Sequence, residues 1–554
     1  IRGFQSSMDL VLHQGLALSI PAEVRVEWPN GTTTQLSDVQ TNSRLELAQP
    51  LAAEGSNEIG IDTTIKDLFD RVGVTDAPVH QENLFIDFNR NRLWPHMLST
   101  PGPRIISGDL NQDGVTEILV PGAKDFTSSL YQLQGGQLNA VTDFSLDGEK
   151  PSELVAPHFF DADGDGDLDL YAGNGGVEFS KFIPYLADIL YLNDGKGNLT
   201  KSTVTLPTAT NFFNTGAVVS GDLDNDGDLD LFVGERALAD AYGLPAAGHI
   251  LINDGSGQFT DKTATWSASL NEIGLITSAA MIDLESDGDL DLVVVGEYMG
   301  VRVFKNESNK LVEANLELAA FKGWWQTLET ADFNGDGVVD FLVGNHGLNS
   351  RFEASEKAPI RLYLNDFDQN DQIDPVLSFM REDGKYYPYD LRHNLIDQMK
   401  PLKKKFPDYA SFKDASVEQM FTKEQLEASV VREVTNLSSA VFLSQPDGTY
   451  AYEPLPLKAQ FAPIYALAVG DFDGDGDIDA LAGGNLYKTK PEIGRYDALQ
   501  GVYLENDGKG HFSILQGGRG FKLGGEIRSI LTLDNLVLVG RNSDTLALFN
   551  YAKN

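Results

Sequence analysis

The chain has 554 residues, 42% of them hydrophobic, with 82 Asp plus Glu against 42 Lys plus Arg and a net charge of −40. That length exceeds one ordinary core, so one large domain with smaller additions is expected, and so acidic a surface argues against nucleic-acid or anionic-lipid partners. There is no cysteine, which excludes disulfides and thiolate chemistry without fixing the compartment, and no apolar run of about 18 residues to form a transmembrane segment.

The opening residues, IRGFQSSMDL, are not a signal peptide and read as the interior of a domain. The chain is therefore expected to be a mature fragment or a truncated piece. Residues 1–50 are assigned to a small β unit, 51–80 to a linker, and 81–554 to the main body.

From residue 109 a nine-residue acidic pattern recurs seven times. Positions one, three, five and nine always carry Asp, Asn or Glu, and position six is Gly in six of the seven. One such stretch alone would read as a solvated acidic turn. Seven in register read as cation sites. Ca²⁺ takes about six to eight oxygens, alternate side chains of a curled loop converge, and the Gly permits the sharp turn. Position seven would add a backbone carbonyl. No His or Cys lies inside the loops, which argues against zinc, and Mg²⁺ prefers to keep its waters. The flanks are strands, which excludes an EF-hand.

The candidate ligands, in chain order, are Asp109, Asn111, Asp113, Val115 and Glu117; Asp161, Asp163, Asp165, Asp167 and Asp169; Asp222, Asp224, Asp226, Asp228 and Asp230; and Asp283, Glu285, Asp287, Asp289 and Asp291. They continue with Asp332, Asn334, Asp336, Val338 and Asp340; Asp366, Asp368, Asn370, Gln372 and Asp374; and Asp471, Asp473, Asp475, Asp477 and Asp479. About seven Ca²⁺ sites follow, which would offset about a third of the net charge of −40.

Six loops run into similar strands that stop at Gly, such as LDLYAGN and LDLFVGE. Hairpins follow at LYLNDGKGNL, ILINDGSGQF and VYLENDGKGHF, with a weaker one at VFLSQPDGTY. Four antiparallel strands in about 40–60 residues describe a propeller blade. Loop starts at 109, 161, 222, 283 and 332 keep that spacing, and the long gap to 471 puts an insertion in the fifth repeat. The loop at 366 falls inside it. Residues 385–432 are expected to be a helical excursion, with Ser416 and Gln419 as a capping box. Residues 531–550 repeat the strands without an acidic loop, and NLFIDF (83–88) is expected to supply their fourth strand. The fold class is all-β: a seven-bladed β-propeller with calcium loops, a small β unit before it and a helical insertion.

This pattern resembles the FG-GAP/VCBS repeats of integrin-α-type propellers. Residues 9–47, through VRVEWPNG, Asn42 and the strand Leu45–Leu47, resemble the C-terminal half of an ASPIC/UnbV domain. HQENLFIDFNRNRLWPHMLSTPGP, GWWQTLETADF, GNHGLNS and GRYDALQG are similar to segments of bacterial surface proteins of the cartilage-acidic-protein type. The resemblance implies export to an extracellular or outer-membrane surface of a Gram-negative bacterium, and a place beside nutrient-uptake machinery or in another outer-membrane protein complex. It does not imply a ligand.

The variable loops on the face opposite the acidic ones carry Glu235, Arg236, Tyr298, Asn345, His346, Asn485 and Arg495. These residues are expected to converge at the channel mouth and to bind a protein or glycan, or else to hydrogen-bond one another. Adjacent Trp324 and Trp325 point to opposite sides of a strand, so at most one is expected to be exposed. The eight His residues form no motif, and no catalytic constellation stands out. The expected role is a non-enzymatic binding or assembly module. The alternative is a polysaccharide lyase or glycoside hydrolase built on the same scaffold.

Overall fold

The computed structural model describes residues 22–27, 33–39, 47, 67–74, 77–146, 152–180, 183–210, 213–515 and 518–551. The chain forms two compact units, residues 1–66 and 67–554. In the first, Ala22–Glu27 pairs antiparallel with Thr33–Val39. The strand expected at 45–47 lies almost wholly outside the described residues.

In the second unit, seven antiparallel sheets among the described residues follow one another along the chain. Their inner strands are Ile106–Gly108 (sheet I), Glu153–Phe160 (II), Asn214–Gly221 (III), Leu275–Ile282 (IV), Thr327–Ala331 (V), Ile464–Gly470 (VI) and Glu526–Leu533 (VII). Each inner strand lies beside the next, and the side chains of sheet VII pack on those of sheet I, so the series closes. The core is accordingly a ring of layers between sheets. Leu119 and Leu170 fill the layer between I and II, for example, and Leu481 and Val539 the layer between VI and VII. Glycines late in the second strands permit this closeness. A Cβ on Gly234 would stand 2.5 Å from Ile276 of the next sheet, and one on Gly483 would stand 2.6 Å from Ile527.

The register is constant. In every acidic loop the residue before position one pairs with position nine, as in Phe160↔Asp169, Gly221↔Asp230 and Gly470↔Asp479. The loop at 366 follows the same rule, with Asn365↔Asp374.

Three expectations are corrected. The fourth strand of sheet VII is Phe69–Val72, paired with Ala547–Tyr551. Residues 83–88 form no strand, and Leu84 there is 98% exposed. The main body therefore starts within the expected linker of 51–80. The insertion, lying between Asp340–Gly344 and Ala440–Ser444, is more than helical. It holds a four-stranded sheet (Tyr386–Pro388, Asp374–Met380, Ile360–Asn365 and Val430–Val434) under five short helices between Arg392 and Glu427. Leu395, Met399, Val417 and Phe421 form its core. Gln419 caps as expected, accepting from Ser416 N–H at 2.9 Å.

Candidate functional site

Each acidic loop is shaped first by its own backbone. Position one accepts from N–H groups further along: Asp222 Oδ1 from Asp226 N at 3.1 Å, and Asp222 Oδ2 from Gly227 N at 3.1 Å. Position five accepts from position seven, as Asp226 does from Asp228 N at 3.1 Å. Positions four and six are both left-handed. Asn225 has φ 59° and Gly227 φ 101°. In the loop without Gly at position six, Asp371 adopts φ 63°, a conformation Asp tolerates better than most residues.

Position nine is buried and anchors two elements. Asp230 accepts from Leu223 N at 2.9 Å and from Asn253 N at 2.8 Å. Asn253 begins the hairpin of the same sheet, and its Nδ2 donates to Ala162 O, in the acidic loop of the preceding sheet, at 2.8 Å. Asn193, Asn306 and Asn506 make the same bridge. These asparagines tie loop to loop around the ring. In the sequence they read only as turn residues.

The loops gather carboxylates. In Asp161/Asp163/Asp169, Asp222/Asp224/Asp230, Asp366/Asp368/Asp374 and Asp471/Asp473/Asp479, one oxygen from each residue lies within 4.8 Å of the others. Asp163 Oδ1, Asp224 Oδ1 and Asp368 Oδ1 are buried with no hydrogen-bond partner. Burial, then the neighbouring carboxylates, raises the pKa of Asp163, Asp224 and Asp368. Burial pushes Asp169 and Asp230 up to about 7. Such a set suits a hard divalent cation, which supplies the missing positive charge to oxygen donors alone. The remaining loops differ at position three. Asn111 and Asn334 offer amides, and Glu285 turns to Lys305. Position seven is not indifferent in its side chain either: the Asp228 carboxylate packs on hairpin Gly255.

On the opposite face, most of the predicted residues lie at or just past the ends of the second strands, held by neighbours outside the predicted set. Glu235 Oε1 lies 2.8 Å from His249 Nε2. Arg236 Nη2 donates to Glu297 at 3.2 Å, and Tyr242 and Gln326 donate to the same carboxylate at 2.7 and 2.9 Å. Burial opposes ionisation of Glu297, but Arg236, His96 and these donors hold its carboxyl below the usual range. Asn345 is fully buried and bonds Trp324 N, Asn436 O and Ser438 O. His346, held neutral by burial with its pKa down to about 3, packs against Trp324 and Tyr496. Asn485 donates to Leu499 O and Gly525 O, both at 2.8 Å. Tyr298 is buried beside Tyr242. Arg495 stands apart, exposed over the Tyr487 ring. Trp324 and Trp325 are both buried.

Residues 93–104 also enter this mouth. His96 pairs with Thr489, Met97 N–H donates to Lys488 O, and Arg104 donates to Gly216 O and Thr277 O. Between this segment and the strand ends remain cavities of about 20 and 30 Å³. A larger cavity of about 520 Å³ lies along the inner strands. His96, Arg104 and Arg528 were not legible as mouth residues, because they lie outside the variable loops.

A model of the FG-GAP-like repeat matches residues 109–172, 184–233 and 283–343, the stretches that carry these loops. The chain carries FG-GAP-like repeats on a propeller of antiparallel sheets. A model described as ASPIC and UnbV matches residues 1–54 of the same chain. No curated protein matches the propeller chain. Similar solved structures include the V. cholerae biofilm matrix protein Bap1, at 12% identity over 86% of this chain and 91% of that one, with a TM-score of 0.36. The computationally designed Ika8 protein is similar at 13% identity over 88% and 100%, with a TM-score of 0.38. The Dos1 propeller is similar at 10% identity over 83% and 96%, with a TM-score of 0.35.

Proposed function

We propose that this FG-GAP propeller is a calcium-loaded binding or assembly module, exported to a bacterial cell surface, that holds a partner and does not catalyse. One observation carries the calcium reading. In three loops the position-three carboxylate keeps a buried oxygen without a hydrogen-bond partner, close to the carboxylates of positions one and nine. Positions one, three and nine would hold the ion, with position five and the position-seven carbonyl alongside. The ion supplies charge neutralisation and loop rigidity. Export is supported by the repeats themselves, which are typical of extracellular and surface proteins. Among the described residues, no helix is long and apolar enough to cross a membrane. Isothermal titration and native mass spectrometry of the full chain test the calcium reading. Several bound Ca²⁺ are expected, with one fewer in Asp163→Asn. Finding no bound ion at millimolar calcium overturns it.

The mouth is filled by its own side chains, which moves the proposed partner surface to the insertion. There Leu391, Tyr409, Val430 and Val431 are exposed. The chain has no cysteine, so Tyr409→Cys accepts a photo-crosslinker at one defined place. A defined adduct on cells from Tyr409→Cys, and none from the control Lys458→Cys, is expected. Equal labelling from both sites overturns this assignment.

A further inference from the structure

On the face away from the acidic loops, three glutamates meet beside sheet II. Glu153 opens its inner strand and pairs with Gly175 of the next. Glu178 follows that second strand, and Glu82 belongs to the segment that leads into sheet I. Glu153 is 2% exposed and Glu82 is 7% exposed. One oxygen of two of them is engaged: Gly102 N–H donates to Glu82 Oε1 at 2.9 Å, and Asn83 Nδ2 donates to Glu178 Oε1. Glu82 Oε2, Glu153 Oε2 and Glu178 Oε2 are buried and have no hydrogen-bond partner.

A neutral side chain shows the same shortfall. Asn214 opens the inner strand of sheet III and donates through Nδ2 to Ala237 O at 3.0 Å. Its Oδ1 is also buried without a partner. Two glycines mark where these oxygens face. A Cβ on Gly176 would stand 2.6 Å from Glu178 Oε2 and 3.1 Å from Glu153 Oε2, and a Cβ on Gly175 would stand 3.1 Å from Asn214 Oδ1. Unpartnered oxygen acceptors therefore crowd these two adjacent glycines.

Among the described residues no Lys or Arg pairs with the three carboxylates. Lys124 Nζ lies 2.5 Å from Asp125, and Arg90 donates to the carbonyls of Val177 and Phe179. Lys124 acts on Glu153 and Glu178, and Arg528 on Glu82, only from a distance; buried carboxylates without a directly paired counter-charge are expensive, and several together more so. Protons or a cation can relieve them.

We infer that Glu82, Glu153 and Glu178, with Asn214 Oδ1, form a second kind of cation site, for a hard divalent ion of the Ca²⁺ class. Every donor is an oxygen, and no His or Cys takes part, which selects a hard ion. The three carboxylates are not gathered within 4.8 Å as those of the loops are, so the ion draws them inward. Bound there, it fastens the segment carrying Glu82 to sheets II and III and holds the mouth covered.

Crystals of the full chain soaked in MnCl₂ test this, because Mn²⁺ replaces Ca²⁺ at oxygen sites and scatters anomalously. An anomalous peak touching Glu153 and Glu178 is expected in addition to peaks in the acidic loops. Peaks in the loops and none here overturn this inference alone. Peaks nowhere overturn the loop reading as well. In solution, native mass spectrometry of Glu153→Gln/Glu178→Gln is expected to show one Ca²⁺ fewer than the wild type. An unchanged ion count in a folded double variant overturns the site, and the diffraction result decides if that variant does not fold.

Discussion

Asn253 holds two sheets with one side chain. Its Nδ2 reaches Ala162 O and Leu229 O at 2.8 and 3.2 Å, while its own N–H donates to Asp230. Leucine there would leave two buried carbonyls short of a donor, each costing on the order of 1–3 kcal/mol. Asn253→Leu is therefore expected to lose about 2–4 kcal/mol of unfolding free energy in urea titrations. Asp254→Asn, on the exposed part of the same turn, should change it by less than about 0.5 kcal/mol. Equal losses would refute the clasp. The role was illegible in the sequence, because Ala162 lies 91 positions upstream and an Asn-Asp-Gly run already explains itself as a turn. His249 makes a pH-dependent counterpart. Burial works against its charge, but Asp261 and Glu235 outweigh this and raise its pKa to about 9, and Asp261 falls to about 2 in return. A histidine whose folded pKa is raised stabilises fully below its unfolded value near 6.5 and loses that contribution as pH rises through about 9. His249→Gln should accordingly lower Tm at pH 6 and approach the wild type at pH 10. A gap that does not narrow over that range counts against the charged trio.

Among the elements, the strand Phe69–Val72 matters most for its size. Four residues complete sheet VII from the other end of the chain. Phe69 is 2% exposed, and its ring stands 5.5–5.8 Å from those of Phe472, Tyr503, Phe521 and Tyr551. Phe69→Ala should cost about 3–5 kcal/mol, as large aromatic-to-alanine changes in cores do, and should do so by opening the ring between its first and last sheets. Hydrogen exchange is then expected to accelerate first in 526–551. Uniform acceleration over all sheets would argue against a closure role. The need for a closing strand was readable, because the last repeat has only three. Its location was not. FDRV falls outside the repeats and has no alternation, whereas NLFIDF is rich in apolar, β-prone residues yet leaves Leu84 and Ile86 exposed. The insertion failed in the same way. Its helices show their spacing, but the strand VVREV lies apart from any loop signal and pairs across 65 intervening residues, as Leu364↔Val430 does.

At the scale of the molecule, the repeat was legible because one register recurs in every loop, and each copy reinforces the reading of the others. The covered mouth was not, because the covering segment lies upstream of the repeats. The same repetition concentrates charge. Six of the seven acidic loops, those of the ring sheets, lie on one face of a chain whose net charge is −40, and four of the seven bring three carboxylates within 4.8 Å. An ion bound only by the folded state adds about 2.7 kcal/mol per site when free calcium is about 100 times Kd. The inter-sheet layers are apolar and do not depend on these loops, so chelation should loosen one face without dissolving the sheets. EDTA is therefore expected to lower Tm by several degrees or more while leaving the far-ultraviolet β signal at 20 °C (about room temperature) unchanged. Because the lost ions leave repulsion between exposed carboxylates, NaCl near 1 M, where the Debye length is about 3 Å, should restore part of the loss. Calcium should restore all of it, and Mg²⁺ less, since it gives up its waters reluctantly. A melt that does not move after calcium removal verified by elemental analysis would show that the loops hold their shape without the ion. The loop hydrogen bonds alone would then carry the stability assigned here to calcium.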